Sequence, residues 1–177
     1  MIRRVLLLAA SALLPLCAQE SLPGVRVHAL SPAGDLRDAT GGKPGLGAGA
    51  FLSIPLGRGL VLRPLVGFQT LLEGDAARLP GTRTQGSSLD LMVEGLWYPD
   101  EDLERGAYLV GAIGGQQWRI RTTGAAPGTL TATRLGLSGG VGYQFTPRLG
   151  AEARGFWSPV DPTLTATGLM LVATLRF

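Results

Sequence analysis

The feature that most constrains the fold is an alternation of apolar and polar residues that returns in eight segments of the chain. The last segment, GLMLVATLRF, shows it most clearly, since every second residue back from its end is apolar. A period of two is typical of a β-strand whose faces meet different surroundings. Clusters of Gly, Pro, Asp and Thr between the segments predict turns. The sequence therefore predicts an all-β fold with eight antiparallel strands near residues 24–30, 45–55, 62–69, 88–98, 106–121, 131–145, 149–157 and 168–177.

The first 18 residues have the order of a secretory signal peptide. Arg3 and Arg4 are followed by an apolar run from Val5 to Leu16 and by the small residue Ala18. The run is shorter than the ~20 residues that a membrane-spanning helix needs. We predict that residues 1–18 are a signal peptide and that 19–177 form one domain. Cys17 is the only cysteine, so no disulfide is expected in the mature chain.

Composition excludes several classes of protein. Removal of the signal leaves 14 Lys and Arg against 13 Asp and Glu, a balance that indicates no nucleic-acid partner. Charged residues are 16% of the chain, below the ~25% of ordinary soluble domains. After Ala18, no apolar run approaches the ~18 residues of a spanning helix. The sequence therefore indicates an exported protein with few charged residues, in which the apolar residues lie on strands.

Two environments fit alternating strands. In a soluble barrel the apolar face points inward, whereas in a transmembrane barrel it meets lipid and the polar face lines the interior. The polar face carries both signs of charge, and its cations are arginines, which suit buried pairing with carboxylates. Eight strands enclose a space narrow enough for side chains to fill. The predicted interior charge network consists of Arg26, Arg63, Asp90, Glu94, Arg119, Arg121, Arg134, Glu152, Arg154 and Arg176.

Aromatic residues also favour lipid around the barrel. Most of them alternate in step with the apolar residues of their strands and are therefore predicted on the apolar face. They lie near strand ends, which in a transmembrane barrel are at the membrane boundary that aromatic rings prefer. This set is Phe68, Trp97, Tyr108, Trp118, Tyr143, Phe145, Trp157 and Phe177, while Phe51, Tyr98 and Phe156 fall on the other face. Longer polar links at 35–43 and 73–87 alternate with shorter ones, which predicts long loops at one end and both termini at the other.

The strand pattern resembles the small eight-stranded outer-membrane proteins, among them the OmpA membrane domain and OmpX. The last strand resembles the C-terminal signal of such proteins, through Leu169, Leu171, Ala173, Leu175 and Phe177. The resemblance implies an eight-stranded antiparallel up-and-down transmembrane β-barrel, monomeric, in the bacterial outer membrane. It implies as partners outer-membrane lipid, lipopolysaccharide and the assembly machinery, and a structural, envelope-integrity or surface-interaction role.

No catalytic, cofactor-binding or metal-binding residues are predicted. The stretch GLGAGA, 45–50, formally matches a dinucleotide-binding pattern but is followed by no helix. His28, the only histidine, shares the face of Arg26 and is expected inside the barrel. Asp90 and Glu94 lie four residues apart, roughly 13 Å by strand rise, and are expected to pair with arginines. Two alternatives stay open, namely a lipid A modifying outer-membrane enzyme and a periplasmic ligand-binding barrel; a wide pore is not expected.

Overall fold

The structure, a computed structural model, describes residues 21–77 and 80–177, so the predicted signal peptide lies outside the described residues. The part of the chain that is described contains one short helix and nine strands, and none of its helices could cross a membrane. The elements are β1 (Leu22–Ala33), α1 (Gly34–Thr40), β2 (Gly45–Gly57), β3 (Leu60–Leu71), β4 (Gly74–Asp75), β5 (Thr82–Trp97), β6 (Gly106–Gly124), β7 (Gly128–Gln144), β8 (Leu149–Asp161) and β9 (Leu164–Arg176).

The strands form a closed antiparallel barrel. Strands that follow one another along the chain are paired, except that β3 pairs with β5 and not with the two-residue strand β4, and β1 also pairs with β9. Because β4 pairs only with β5, the barrel wall has eight strands, which confirms the predicted fold class. The β1–β9 pairing runs from Gly24 opposite Arg176 to Ala33 opposite Thr167. The two ends of the described chain therefore meet in the wall.

The connections alternate between the two ends of the barrel. The turns at 58–59, 98–105 and 145–148 lie at the end that holds the termini, which we call the terminal end. The described links at 34–44, 72–77 with 80–81, 125–127 and 162–163 lie at the other end, called the loop end, and the first of them contains α1. β5 begins at Thr82, six residues before the predicted start at Ser88. The predicted long loop at 73–87 is thus partly strand.

Side chains alternate regularly between the interior and the outer wall. On β1, Arg26 and His28 are buried while Val25 and Val27 are exposed. The same arrangement holds on β5, β8 and β9. Ile54 is an exception: its parity predicts the outer face, yet only 1% of it is exposed, next to a register irregularity between Pro55 and Gly57. The barrel therefore carries its large apolar side chains outward and most of its charged strand residues inward.

The predicted face assignment of β6 is wrong. Trp118 and Ile120 are buried, whereas Arg119 and Arg121 are exposed on the outer wall. Tyr108, also predicted to face outward, is 2% exposed in the interior. The physical reason is that the polarity of both faces inverts toward the loop end, where the interior holds an apolar plug and the outer wall becomes polar.

The interior has three layers. The plug at the loop end consists of Leu30, Leu36, Leu71, Trp118, Ile120, Ala132, Phe156, Val160, Ala166, Met170 and Val172. Leu36 belongs to α1 and is fully buried, so the helix covers this end of the barrel. The terminal end holds a second apolar cluster around Tyr98 and Tyr108, whose ring centroids are 4.7 Å apart. The charged groups occupy the layer between them.

Glycines on the strands make room for large inward side chains. Gly24 lies opposite Phe51, Gly142 opposite Tyr108, and a Cβ at either glycine would collide with the partner's ring. A different set of glycines faces outward in one continuous row across β5, β6, β7 and β8, where neighbours are directly paired. This row consists of Gly95, Gly111, Gly139 and Gly155. Strand glycine thus allows close packing of rings inside a narrow barrel.

Candidate functional site: the charged interior and the outer wall

Glu94 is the centre of the charged layer. Three arginines on three other strands donate to its carboxylate: Arg26 Nη1 at 2.7 Å, Arg63 Nε at 2.5 Å and Arg154 Nη1 at 2.6 Å. Glu94 comes from β5, and its partners come from β1, β3 and β8. All four side chains are at most 5% exposed. One carboxylate therefore ties together strands on several sides of the barrel.

Glu152 completes the cluster. It accepts hydrogen bonds from Arg63 Nη2 at 2.7 Å and from Tyr108 Oη at 2.8 Å, and it forms an ion pair with Arg154. The guanidinium of Arg63 also lies over the Phe51 ring, 4.8 Å from its centroid, a cation–π arrangement. The structure therefore brings five of the predicted network residues together, with three positive and two negative charges, and adds Tyr108, which the sequence had placed outside.

Asp90 lies beside this cluster without joining it. Its Oδ1 accepts hydrogen bonds from Ser88 Oγ at 2.7 Å and Gln116 Nε2 at 3.1 Å. The space lined by Arg26, Asp90, Glu94 and Gln116 has a volume of about 10 Å³. That is about the minimum that one water molecule needs. Side chains therefore fill this layer and leave little room for a diffusing solute.

The remaining predicted residues lie elsewhere. Arg176 is inside the barrel but at the terminal end, where Nη2 donates to Tyr98 Oη at 2.6 Å and Nη1 to the Leu103 carbonyl at 3.1 Å. Arg134 is exposed and donates to the Thr133 carbonyl. Arg119 and Arg121 are on the outer wall, as described above. The sequence did not predict these placements, because the alternation of residues along a strand does not show where the barrel interior changes from polar to apolar.

The interior histidine and the buried glutamates are each in contact with other polar side chains. His28 faces the interior, with Nε2 3.2 Å from Gln69 Oε1. Within the described ranges, no cluster of three or more His, Cys, Asp or Glu side chains could hold a metal ion. The buried carboxylates of Glu94 and Glu152 are each engaged by arginines. These polar groups therefore bind one another inside the barrel.

The outer wall is apolar around the middle of the barrel. The residues of the predicted C-terminal signal, Leu169, Leu171, Ala173, Leu175 and Phe177, are all exposed on it. Trp97, Tyr143, Phe145 and Phe177 project outward at the terminal end, with the rings of Tyr143 and Phe145 5.2 Å apart. Phe68 and Trp157 are exposed nearer the loop end. The apolar stretch on β5, from Leu89 to Trp97, spans about nine residues, which at the usual tilt is ~23 Å in height.

A closed eight-stranded barrel with a filled, charged interior and an apolar outer wall is the architecture of the small barrels of bacterial outer membranes. No family model matches the chain, and no curated protein sequence matches it. Solved structures do: the N-terminal β-barrel domain of Pseudomonas aeruginosa OprF superposes with a TM-score of 0.65 and 13% identity, over 90% of this chain and 98% of that one.

Two further structures of the class are similar. Ail, the attachment invasion locus protein of Yersinia pestis, solved with the heparin analogue sucrose octasulfate, has a TM-score of 0.62 and 13% identity over 90% of this chain and 100% of that one. Neisserial surface protein A has a TM-score of 0.52 and 15% identity, covering 89% of this chain and 96% of its own. At such identities the comparisons establish a shared fold.

Proposed function

We propose that this chain is a small outer-membrane β-barrel protein with a structural, envelope-integrity or surface-interaction role. The observation that carries the proposal is the distribution of polarity across the wall. Buried ion pairs fill the middle of the barrel, while Val27, Leu91 and Leu171 are each more than half exposed on the outside. This is the reverse of a soluble barrel and the arrangement of a transmembrane one.

The extent of the apolar wall supports a lipid environment. The largest apolar patch on a typical soluble monomer is about 300–600 Å², whereas here exposed large apolar side chains occur on every strand of the barrel wall. We call the apolar part of the outer wall, which on β5 extends from Leu89 to Trp97, the belt. In a membrane, lipid would cover the belt and keep its apolar side chains away from water. The aromatic rings at its terminal edge match the positions that rings prefer at a membrane boundary.

The filled interior supports a role other than a wide pore. The apolar plug closes the loop end, the tyrosine cluster occupies the terminal end, and the charged layer between them is packed. A catalytic role has no comparable support in the described part of the chain, because the buried carboxylates of Glu94 and Glu152 are paired with arginines. A periplasmic ligand-binding barrel would expose this apolar wall to water. The surface available to partners is therefore the loop end, with α1 and residues 72–77.

The test follows the protein and its last strand in a Gram-negative-type host. Wild type and Phe177→Leu are expected in the outer-membrane fraction, with a gel mobility that changes on boiling, because both keep an apolar residue at the edge of the belt. Phe177→Asp should assemble several-fold less, since burying a charge in lipid is costly. Arg176 is a poor control because its side chain is buried.

Two outcomes would count against these proposals. Release of the wild type in the soluble periplasmic fraction, with a mobility that ignores boiling, would overturn the outer-membrane assignment. Equal assembly of Phe177→Asp and Phe177→Leu would leave that assignment intact and refute the C-terminal signal alone.

A further inference from the structure

A polar patch lies on the outer wall directly above the apolar belt on strands β3, β5, β6 and β7. Paired outward residues on neighbouring strands form rows there. The rows run perpendicular to the tilted strands and therefore at a slant to the barrel axis. The row Val66, Leu91, Gly115 and Leu135 belongs to the belt, and the next consists of Phe68, Leu89, Gln117 and Thr133. The following row is Thr70, Ser87, Arg119 and Thr131, and above it are Gln85, Arg121 and Thr129.

The two arginines of this patch are not paired with acidic side chains in the part of the chain that the structure describes. Within residues 21–77 and 80–177, no ion pair engages Arg119 or Arg121, although both lie on a strand wall and not on a loop. Arg83, one row higher, differs because it is within 3.5 Å of Glu73 and 3.9 Å of Asp75. Arg119 and Arg121 therefore present two adjacent positive charges outward, on a strand that is paired on both sides.

The patch is concave and rich in hydrogen-bonding groups. Two depressions of about 380 and 270 Å³ share Phe68, Ser87 and Arg119. The first also contains Thr129 and Thr131, and the second Arg121. Two guanidinium groups with hydroxyl groups beside them suit a phosphate, which arginine can bind through two parallel hydrogen bonds.

The height of the patch indicates what would bring a phosphate there. One row corresponds to two residues, ~6.6 Å along a strand and ~5 Å in height at a tilt of about 40°. A row also rises toward the loop end by ~3 Å from one strand to the next, from β3 through β5 to β6, because the row is perpendicular to tilted strands. Arg119 is thus ~8 Å in height above Leu89, the outward apolar residue that ends the belt on β5. The headgroup layer of a bilayer begins at the edge of the hydrocarbon and is ~5–8 Å thick. The Cα atom of Arg119 lies near the outer limit of that layer at the loop end, and its long side chain can reach a phosphate inside the layer.

We propose that Arg119 and Arg121, with the hydroxyls of Ser87, Thr129 and Thr131, bind the phosphate of a lipid headgroup in the leaflet at the loop end. The acyl chains of that lipid would lie against Phe68, Leu89 and the belt below. The site rests on the membrane location proposed above and names a lipid partner for it. The two arginines favour an anionic group, and the apolar wall beside them favours acyl chains. A lipid that carries a phosphate satisfies both conditions, whereas a soluble anion satisfies only the first.

The experiment measures binding of fluorescent lipid A to the folded protein in octyl glucoside. Lipid A from which the phosphates have been removed is the comparison lipid and should bind more weakly, because it keeps the acyl chains and lacks the anionic group. Arg119→Ala/Arg121→Ala should weaken lipid A binding by about tenfold or more, as expected for two cations acting on a headgroup. The matched control, Arg105→Ala/Arg148→Ala, removes the same charge from exposed turns at the terminal end and should bind as the wild type does. Added salt should weaken wild-type binding.

The outcomes separate the two proposals. Heat-dependent gel mobility is recorded for every variant, so that loss of binding in a folded barrel is not confused with misfolding. If the double variant folds and binds lipid A as tightly as the wild type, or if inorganic phosphate displaces the lipid at equal concentration, the headgroup site is refuted and the barrel assignment stands. If the wild type fails to fold in detergent or lipid, both proposals fail.

Discussion

At the scale of single residues, Glu94 forms more ion pairs than any other described residue of the interior cluster. Three arginines donate to it, and together with Glu152 it leaves the cluster with one excess positive charge, close to Asp90. Burying an ion is costly unless its partners are well placed. Removing one carboxylate would leave several guanidinium groups under-compensated, because none of them can reach water.

Glu94→Gln should lower the free energy of unfolding by about 3–5 kcal/mol, the usual cost of breaking a buried ion pair. The measurement is urea unfolding of the refolded barrel in phosphatidylcholine vesicles, followed by gel mobility. Glu104→Gln, in the exposed turn at 98–105, makes the same chemical change and should stay within ~0.5 kcal/mol of the wild type. Equal values for the two variants would show that the cluster contributes nothing to stability.

At the scale of elements, large side chains on one strand lie opposite glycines on the strand paired with it. Tyr108 on β6 lies opposite Gly142 on β7, and the tyrosine reaches Glu152 only because its ring passes over the glycine. The outward glycine Gly155 on β8 has open space instead, with nothing within 4 Å of the Cβ that an alanine would add. The same residue type therefore has two different roles in this wall.

Gly142→Ala should destabilise the barrel by about 1–3 kcal/mol, since an added methyl must displace a ring and its hydrogen bond. Gly155→Ala should be neutral to within ~0.5 kcal/mol. Both are measured by urea unfolding of the folded protein. A double variant with Tyr108→Phe tests the mechanism: if the cost of Gly142→Ala stays the same when the hydroxyl is already absent, the loss of the Glu152 contact is not part of it.

At the scale of the whole molecule, the barrel separates two polarities by a single layer of chain. The three tryptophans report on this separation, because Trp97 and Trp157 are 47% and 43% exposed on the outer wall while Trp118 is fully buried in the interior. A lipid environment would touch the first two and leave the third enclosed by the plug.

Proteins that retain one tryptophan each, with Phe at the other two positions, should differ in vesicles whose acyl chains carry bromine. We expect the emission of Trp97 and Trp157 to fall severalfold and that of Trp118 to change little, because bromine quenches on contact. A soluble barrel would show no quenching at any position. Quenching of Trp118 as strong as that of Trp157 would refute the inward orientation of this part of β6.

The predictable part of the structure follows from local repetition. On β1, β5, β8 and β9, alternation predicted which side chains share a face. Glu94 and the four charged residues that meet around it were all among those predicted inside. On β6 the same reasoning failed for Trp118, Arg119 and Arg121, since both faces of its first half are apolar. Alternation still shows which residues of β6 share a face, but it does not show which of the two faces is inside the barrel.

The sequence alone determined the number of barrel strands, their alternation and the end of the barrel that holds the termini, because these depend on periodicity and turn chemistry within short stretches. The tertiary structure decided which face of β6 is buried, which charges meet and where the interior changes from polar to apolar. Burial depends on the height of a residue in the closed barrel and on strands distant in the chain. For that reason Arg119, which the pattern predicted in the interior network, lies on the outer wall.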